Sequence, residues 1–412
     1  MRAVLTHLDL PGSSLPCMSA KSAPGPSSVL RGHRADVQAL CCHPDRALLY
    51  SGDSAGEAKA WDLTTERATW SQRLHPNEAG VTALHIAGPD CARLLSQGRD
   101  GTIKSWALSA EGLPSRTPLH LIETGSYNFC RMAVLSHDAC VSEGCGANPP
   151  VDIKSGQAMS SNQDTDRQQA ESVTDGMGAT CSTELKLEHR NSATEGPAEN
   201  ARQGTSRELI VAIAGHDPAV LEIWNMQTGV LVQQLTQPAG HKHGMCMAVQ
   251  LYTQSEQSVL YALVGYEDGT VAVWDVIAGR FVKSSQLHAE PVMAVAVADD
   301  GSGGICAAAD NKVQCFGLGS PSTLLQVLAT LEVKQHGIAD ICIRPDQRLF
   351  ATAGWDGKLR LFHHKKMRPL AILQYHRKGV TALAFQPHNQ RLISASRDGT
   401  IAIWSVFQRE TT

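Results

Sequence analysis

The stretch His376, Val380-Thr-Ala-Leu-Ala-Phe385, Leu392-Ile-Ser-Ala-Ser396, Arg397-Asp398-Gly399, Thr400-Ile-Ala-Ile-Trp404 decides the fold of this chain. It contains a histidine followed by three short apolar runs, and runs of this length and composition predict β-strands. The dipeptide Asp-Gly separates the second run from the third, and both residues tolerate the positive φ that a hairpin turn requires. An aromatic residue closes the third run.

The same pattern occurs six more times when the chain is aligned on the closing aromatic residue. The other closing residues are Trp61, Trp106, Trp224, Trp274, Phe316 and Phe362. The turns before them are Ser54-Ala55-Gly56, Arg99-Asp100-Gly101, Asp217-Pro218, Glu267-Asp268-Gly269, Asp310-Asn311 and Trp355-Asp356-Gly357. The repeats open at Gly32-His33, His75, Gly240-His241, His288, His336 and His376, and the third has no clear opening histidine. A period of about 40–45 residues with this internal order is typical of WD repeats. We therefore predict an all-β fold, a seven-bladed WD-repeat β-propeller over residues 29–407.

Three segments lie outside the regular pattern. Residues 1–28 contain a tract rich in proline, glycine and serine and predict a flexible N-terminal segment, and residues 408–412 form a C-terminal tail. Residues 137–206 contain no Phe, Trp or Tyr and have 11 acidic and 5 basic residues, a net charge of −6. Such a segment has too little apolar surface to offset the entropy of ordering, so we predict a disordered acidic insertion within blade 3.

Composition excludes several classes of protein. The formal net charge of −4 and the lack of a basic excess argue against direct nucleic-acid binding. No apolar run approaches the roughly 18 residues of a membrane helix, so we expect no membrane partner. The 12 cysteines form no C-x-x-C pair, which favours reduced thiols over a disulfide framework or a zinc site. We expect localisation in nucleus and cytoplasm.

Within each blade, the opening histidine, a Ser or Thr, the turn aspartate and the closing tryptophan can form a buried hydrogen-bond relay. Aligned on the aromatic residue, two repeats have all four: His75, Ser96, Asp100 and Trp106 in the second, and His376, Ser394, Asp398 and Trp404 in the seventh. The sixth keeps His336, Thr352 and Asp356 but ends in Phe362. A Ser, His and Asp set also resembles a hydrolase triad, but a nucleophile must be exposed beside an oxyanion hole. We interpret the sets as structural and predict no catalytic residues and no enzyme activity.

Residues beside the turn aspartates should emerge on one face of the ring. The predicted partner-binding residues on this face are Arg99, Tyr266, Glu267, Glu290, Trp355, Lys378 and Arg397. Trp and Arg dominate many protein interfaces. The alternatives are a partly packed loop aromatic for Trp355 and solvated loop charges for the two arginines. A second hypothesis is a propeller enzyme or small-ligand binder at the channel mouth, which would need ionisable groups such as Glu267, Glu290 and His288 to converge there.

The sequence predicts no cofactor and no metal. Gly240-His-Lys-His243 would need a third ligand to hold a metal, so we interpret it as a loop. The basic run His363-His-Lys-Lys-Met-Arg368 is either a solvated loop or a weak nuclear signal. The glycines lie in Asp-Gly turns and not in the strand, loop and helix context of a phosphate site.

Several stretches resemble one family of WD-repeat proteins, that of guanine nucleotide-binding protein subunit beta-like protein 1 and the fungal ASTRA-associated protein 1. They are Leu94-Leu-Ser-Gln-Gly-Arg-Asp100, Phe129-Cys-Arg131, Val264-Gly-Tyr-Glu-Asp-Gly-Thr-Val-Ala-Val-Trp-Asp275, His288-Ala-Glu-Pro-Val-Met293, Gly337-Ile-Ala-Asp-Ile-Cys-Ile-Arg-Pro-Asp346 and Ala351-Thr-Ala-Gly-Trp-Asp356. These stretches cover all but the first and last blades. The acidic insertion departs from the family's compact pattern.

The resemblance implies a non-enzymatic scaffold in an ASTRA- or TTT-type co-chaperone assembly, which supports maturation of phosphatidylinositol 3-kinase-like kinases and chromatin regulation. The implied partners are co-chaperone subunits and large kinases, with this chain as a monomer within a larger complex. Plant relatives imply an alternative role as an adaptor in plasmodesmatal transport. A true Gβ subunit has an N-terminal coiled-coil helix for its γ partner, and residues 1–28 contain no heptads. We therefore do not expect Gγ binding.

Overall fold

The structure, a computed structural model, describes residues 25–88, 91–127, 129–138, 207–254, 259–387 and 391–406, with only the main chain at 136–138 and 207. These residues form seven antiparallel sheets of four strands each. No helix in the described part of the chain is long and apolar enough to cross a membrane.

Each of the first six sheets is one blade, and its strands follow one another in sequence from the centre of the ring outwards. Blade 1 contains β2 (Val37–Cys42), β3 (Leu48–Asp53), β4 (Glu57–Asp62) and β5 (Arg67–Arg73). Blade 2 contains β6 (Val81–Ala87), β7 (Arg93–Gly98), β8 (Thr102–Ala107) and β9 (His120–Glu123). Blade 3 contains β10 (Ala133–Asp138), β11 (Arg207–Ala214), β12 (Leu221–Asn225) and β13 (Val230–Leu235).

The second half of the ring repeats this order. Blade 4 contains β14 (Cys246–Thr253), β15 (Leu260–Tyr266), β16 (Thr270–Asp275) and β17 (Arg280–Gln286). Blade 5 contains β18 (Val292–Val297), β19 (Gly303–Ala308), β20 (Lys312–Gly317) and β21 (Val327–Glu332). Blade 6 contains β22 (Ile338–Ile343), β23 (Leu349–Gly354), β24 (Lys358–His363) and β25 (Arg368–Gln374). Blade 7 contains β26 (Val380–Phe385), β27 (Leu392–Ser396), β28 (Thr400–Trp404) and β1 (Ser28–Arg31).

The blades close into a ring. Neighbouring inner strands contact one another in the order β2, β6, β10, β14, β18, β22 and β26, and β26 contacts β2 again. The ends of the chain are joined in blade 7, where β1 pairs antiparallel with β28 and Val29 lies opposite Ala402. The strand β1 thus supplies the outer strand of the last blade and closes the ring. The prediction of a seven-bladed WD-repeat propeller is confirmed.

The hydrophobic core lies between the blades. Seven clusters of buried residues each span two adjacent blades, and each of the seven closing aromatic residues packs towards the preceding blade. Trp274 of blade 4, for example, lies in the same cluster as Ile210 of blade 3, and Phe362 of blade 6 lies in the same cluster as Ile305 of blade 5. A large aromatic side chain buries ~150–250 Å². The closing aromatic residue of each repeat therefore contributes a large buried surface to one interface between blades.

Strand direction places the loops on two faces. Because the strands of a blade are antiparallel, the turn between the second and third strand lies on the same face as the connection from one blade to the next. We call this the top face. Hydrogen bonds join the two kinds of loop there: Arg99 N–H donates to Ala79 O, and Trp355 N–H donates to Gly337 O.

Residues 139–206 connect β10 to β11, and these two strands pair as far as Asp138 opposite Arg207. The segment is therefore inserted at one hairpin of blade 3. The prediction that residues 137–206 are disordered falls almost entirely outside the described residues. Residues 1–24 of the predicted flexible N-terminal segment and the whole predicted tail at 408–412 also lie outside the described residues. The last residue of the predicted N-terminal segment, Ser28, lies in β1.

Candidate functional site

The relay of blade 2 joins all four predicted side chains. His75 Nδ1 lies 3.0 Å from both carboxylate oxygens of Asp100, and His75 Nε2 lies 2.9 Å from Ser96 Oγ. Trp106 Nε1 donates to the same Ser96 oxygen at 3.0 Å. Every polar atom has a partner if the serine O–H donates to Nε2 and Nδ1–H donates to the carboxylate. A satisfied buried network of this kind fixes the geometry of the blade.

Blade 7 has the same relay with a looser acidic end. His376 Nε2 lies 2.8 Å from Ser394 Oγ, to which Trp404 Nε1 donates at 3.0 Å. His376 Nδ1 lies 3.4 Å from Asp398 Oδ2. Asp398 also accepts hydrogen bonds from the Thr400 hydroxyl at 2.6 Å and from the Arg377 amide at 2.9 Å.

A third complete relay, in blade 1, was missed by the sequence alignment. His33 lies 2.7 Å from both Asp53 Oδ2 and Ser51 Oγ, and Trp61 Nε1 donates to Ser51 at 2.8 Å. The expectation that only blades 2 and 7 have all four groups is therefore wrong. Asp53 ends strand β3 and does not lie in the turn, so alignment on the tryptophan placed Ala55 where an aspartate was sought.

Burial and hydrogen bonding change the pKa values of the relay aspartates in opposite directions. Burial raises the pKa of Asp100, but the hydrogen bond from His75 and further attractive contacts outweigh it, so that the pKa is lowered overall. Burial likewise raises the pKa of Asp53, and hydrogen bonds from His33 and from turn amides bring it below its usual range. Burial lowers the pKa of His75 and of His376. The relays of blades 2 and 7 therefore hold ionised aspartates beside neutral histidines at neutral pH.

Blade 4 differs from its predicted arrangement. His243, and not His241, binds the turn aspartate, with Nδ1 2.9 Å from Asp268 Oδ2. Trp274 Nε1 donates to the hydroxyl of Tyr266 at 3.2 Å. Tyr266 is fully buried. Its assignment to the partner-binding surface is therefore wrong, because its hydroxyl takes the place of the missing serine inside the blade.

Blade 5 retains half of the relay. His288 Nδ1 lies 2.9 Å from Asp310 Oδ2, and His288 Nε2 lies 3.2 Å from the sulfur of Cys306. Because the His288 side chain is buried and both ring nitrogens are engaged, it is not available to a ligand at the channel mouth. The convergence of Glu267, Glu290 and His288 that the second hypothesis requires does not occur.

Blade 6 replaces the histidine with an arginine. Two nitrogens of Arg360 lie 3.1 Å and 2.7 Å from the two oxygens of Asp356, and both side chains are largely buried. His336 is exposed, and the buried hydroxyl of Thr352 has no hydrogen-bond partner within the described residues. The prediction that His336 belongs to the relay of blade 6 is therefore wrong, because Arg360 binds Asp356 in its place. The bidentate guanidinium supplies the positive partner from within the same strand hairpin.

The relay serines are not exposed nucleophiles. Ser51, Ser96 and Ser394 are completely buried, and each accepts a tryptophan N–H. A triad serine must reach a substrate carbonyl beside an oxyanion hole. These side chains therefore stabilise the blades.

One group of the described residues has the composition of a metal site. The ligand atoms of His33, Asp53 and Glu57 lie within 4.8 Å of one another. The relay engages His33 and Asp53, however, and Glu57 binds Lys59 Nζ at 2.6 Å. Hydrogen bonds thus account for the arrangement. A cleft of about 500 Å³ includes Asp53 and Glu57 and is otherwise lined by loop residues and by the third and fourth strands of blade 1, β4 and β5.

The top face brings three of the predicted partner-binding residues together. Trp355, Lys378 and Arg397 lie on touching loops of blades 6 and 7, since Arg397 N–H donates to Gly379 O and Gly379 packs on the main chain of Trp355. We call these three residues the blade 6–7 platform. The Trp355 side chain is 44% exposed, and Lys378 and Arg397 are exposed. The Trp355 ring lies against Gly337, where a Cβ would stand 2.0 Å from a ring carbon.

The remaining predicted residues form two separate groups on the same face. Glu267 and Glu290 are exposed on neighbouring loops of blades 4 and 5, where Gly269 packs against Glu290 O. Arg99 lies on blade 2 with its guanidinium carbon 4.5 Å from the centre of the Phe129 ring. Phe129 and Tyr127 are 64% and 73% exposed, and sequence reasoning missed both as surface residues. Both lie in the connection between blades 2 and 3, before β10 begins at Ala133.

Arg131 crosses the channel. It precedes β10 in blade 3, yet it donates to Thr381 O in blade 7 at 2.6 Å and to Gln38 O in blade 1 at 3.3 Å. It also pairs with Asp340 of blade 6 at 3.1 Å. The guanidinium thus ties the inner strands of blades 1, 6 and 7 to the segment that leads into blade 3 and occupies part of the channel.

Comparison with known proteins agrees with the fold. The family model described as WD domain, G-beta repeat matches residues 25–62, 325–363 and 367–405. These matches fall on β1 with the first three strands of blade 1, on the end of blade 5 with most of blade 6, and on blades 6 and 7.

Curated relatives match over most of the chain. Mouse guanine nucleotide-binding protein subunit beta-like protein 1 is 28% identical over 389 residues, which cover 93% of this chain and 97% of the mouse protein. ASTRA-associated protein 1 of Verticillium alfalfae is 27% identical over 94% of this chain and 87% of its own length. That of Schizosaccharomyces pombe is 27% identical over 93% of this chain and 99% of its own length. The chain is a WD-repeat protein related to guanine nucleotide-binding protein subunit beta-like protein 1 and to the ASTRA-associated protein 1 proteins.

Proposed function

We propose that this protein is a non-enzymatic scaffold of an ASTRA-type co-chaperone assembly in the nucleus and cytoplasm, where it supports maturation of phosphatidylinositol 3-kinase-like kinases and chromatin regulation. The observation that carries the proposal is the match to fungal ASTRA-associated proteins along most of their length, including 87% of the Verticillium alfalfae protein and 99% of the Schizosaccharomyces pombe protein. The partners are co-chaperone subunits and large kinases.

The blade 6–7 platform is the contact surface in this proposal. It combines a tryptophan with an arginine and a lysine, and no ion pair within the described residues engages either cation. Trp and Arg are enriched at positions that dominate binding energy. The close approach of Trp355 to Gly337 limits the ring's freedom before binding, which lowers the entropy cost of association.

The test uses the full chain with Trp355→Ala and Arg397→Glu combined, purified by affinity from cells and analysed by mass spectrometry. Loss of such anchors costs about 2 kcal/mol or more, roughly thirtyfold in affinity, so co-purifying co-chaperone subunits should be lost. Melting temperature and circular dichroism should stay near wild type, because both side chains are at exposed turns.

The matched control combines Leu121→Ala and Arg116→Glu on the outer side of blade 2, where both residues are exposed. This variant should retain the partners. Retention by the platform variant would move the contact surface elsewhere, and absence of co-chaperone subunits from the wild-type sample would overturn the proposed function itself.

A further inference from the structure

The outer strands of the blades are open sheet edges. Each has one neighbour in its sheet, so alternate main-chain N–H and C=O groups on its other side have no strand partner. Such an edge can accept a strand from another chain, and proteins commonly block it with charged side chains or proline. The seven edges of this ring are β1, β5, β9, β13, β17, β21 and β25.

Strand β13 of blade 3 differs from the other six in composition. Its sequence, Val230-Leu-Val-Gln-Gln-Leu235, has no charged residue and no proline, and the uncharged stretch extends from Met226 to Gly240. Each of the other six outer strands carries at least one charged residue. Two common protections against strand addition, charge and proline, are therefore missing at β13, which has only the β-bulge that β5, β17, β21 and β25 also have.

The side chains of β13 also alternate as a docking strand requires. Val230 and Val232 are 58% and 54% exposed, whereas Leu231 lies between them opposite Trp224. The turn of the next blade lies beside the strand, since Gly279 packs on the side chain of Gln233. Ile277 in that turn is 64% exposed. The open edge of β13 therefore has exposed apolar side chains on the strand itself, Val230 and Val232, and on the neighbouring turn, Ile277.

We propose that β13 is the docking edge for an extended, uncharged segment of a partner protein with apolar side chains at alternate positions, which adds a fifth strand to blade 3. In strand addition, main-chain hydrogen bonds supply affinity and the alternating side chains supply selectivity. A second copy of this chain fits less well. One pair of short strands covers far less than the ~1,200 Å² of a stable protein interface. The inference does not rest on the blade 6–7 platform.

The test measures binding of peptides to the full chain. The probe is selected from a pool of short capped peptides with Val, Ile, Leu, Phe or Tyr at alternate positions and Thr or Gln between them. Val232→Lys should weaken the selected peptide about tenfold or more, because a desolvated lysine opposes pairing. Val282→Lys is the matched control, because Val282 holds the same bulge position in β17, beside Lys283. It should bind as wild type does.

Two measurements on the wild-type protein make the result independent of any folding defect in a variant. Hydrogen exchange at the amides of β13 should slow when the peptide binds. A peptide N-methylated at alternate residues, with unchanged side chains, should bind about tenfold more weakly or worse, because it lacks the donors for pairing. The proposal is overturned if no peptide prefers wild type over Val232→Lys or if N-methylation has no effect. It is also overturned if sedimentation shows a dimer of this chain that Val232→Lys abolishes.

Discussion

At the scale of single residues, Asp53 in blade 1 contacts the opening histidine as Asp100 does in blade 2, but from a position two residues earlier relative to the tryptophan. A shift of two residues keeps a side chain on the same side of a strand. In blade 2 the equivalent earlier position is Gly98, where a Cβ would lie 2.1 Å from His75 Nδ1. The carboxylate can therefore come from either position, and in blade 2 the earlier position has no side chain that would overlap the imidazole.

Replacement of Asp53 tests whether this residue supplies the relay carboxylate of blade 1. Asp53→Ala should leave His33 and the amides of Ala55 and Glu57 without their acceptor, and should lower the free energy of unfolding by about 1–3 kcal/mol. Asp268→Ala is the control, because its side chain is 36% exposed and water can replace its contacts. Urea denaturation should show the larger loss for Asp53→Ala. Equal losses would contradict the buried relay in blade 1.

At the scale of the element, the inner strand β6 carries a partly buried titratable group, His85. His85 Nε2–H donates to Met132 O of the neighbouring blade at 3.1 Å. Burial lowers the pKa of His85 to about 4. The strand therefore keeps a neutral imidazole at a blade interface, where an alternating apolar pattern alone would predict an aliphatic residue.

Acidification should lower the free energy of unfolding through the titration of His85. The pKa of His85 is about 4 in the folded protein and about 6.5 in the unfolded chain, so on acidification the unfolded state takes up the proton first. The contribution of His85 is present above pH 6.5 and is lost as the pH falls towards 4. His85→Gln keeps an N–H donor without a titration. Its urea midpoint should therefore fall less between pH 7 and 4.5 than that of wild type. Parallel curves would contradict the assignment.

At the scale of the whole molecule, the ring is closed by contacts between residues far apart in the sequence. The clasp pairs β1 with β28, and Arg131 links blades 3, 1, 6 and 7 across the channel. The insertion connects β10 to β11, whose ends at Asp138 and Arg207 lie opposite each other. The ring's closure and its cross-channel contacts therefore involve residues outside the inserted segment.

Deletion of residues 140–204, joined by a short Gly-Ser link, should leave the ring folded. The ends of β10 and β11 are already paired, so a hairpin turn can connect them, and shortening a loop changes the closure entropy only slowly. Thermal unfolding followed by circular dichroism should remain cooperative, with a melting temperature near that of the full chain. A loss of β-structure on deletion would make the segment a part of the ring.

The sequence by itself determined the number of blades, the insertion site and the complete relays of blades 2 and 7. These features follow from short local patterns, namely strands, an Asp-Gly turn and an aromatic residue at fixed spacing. Arg99, Trp355 and Arg397 could also be placed beside their turns, since turn geometry is local. The grouping of Trp355 with Arg397 needed the hydrogen bond between Arg397 and Gly379.

In blades 4 and 6, only the tertiary structure decided which polar groups are partners. His243 and not His241 reaches Asp268, Arg360 and not His336 binds Asp356, and the hydroxyl of Tyr266 takes the place of a serine. These choices depend on which side chain reaches a buried carboxylate or N–H once the blades have packed. Residues brought together by packing compete for each buried partner, and spacing along the chain does not record the outcome.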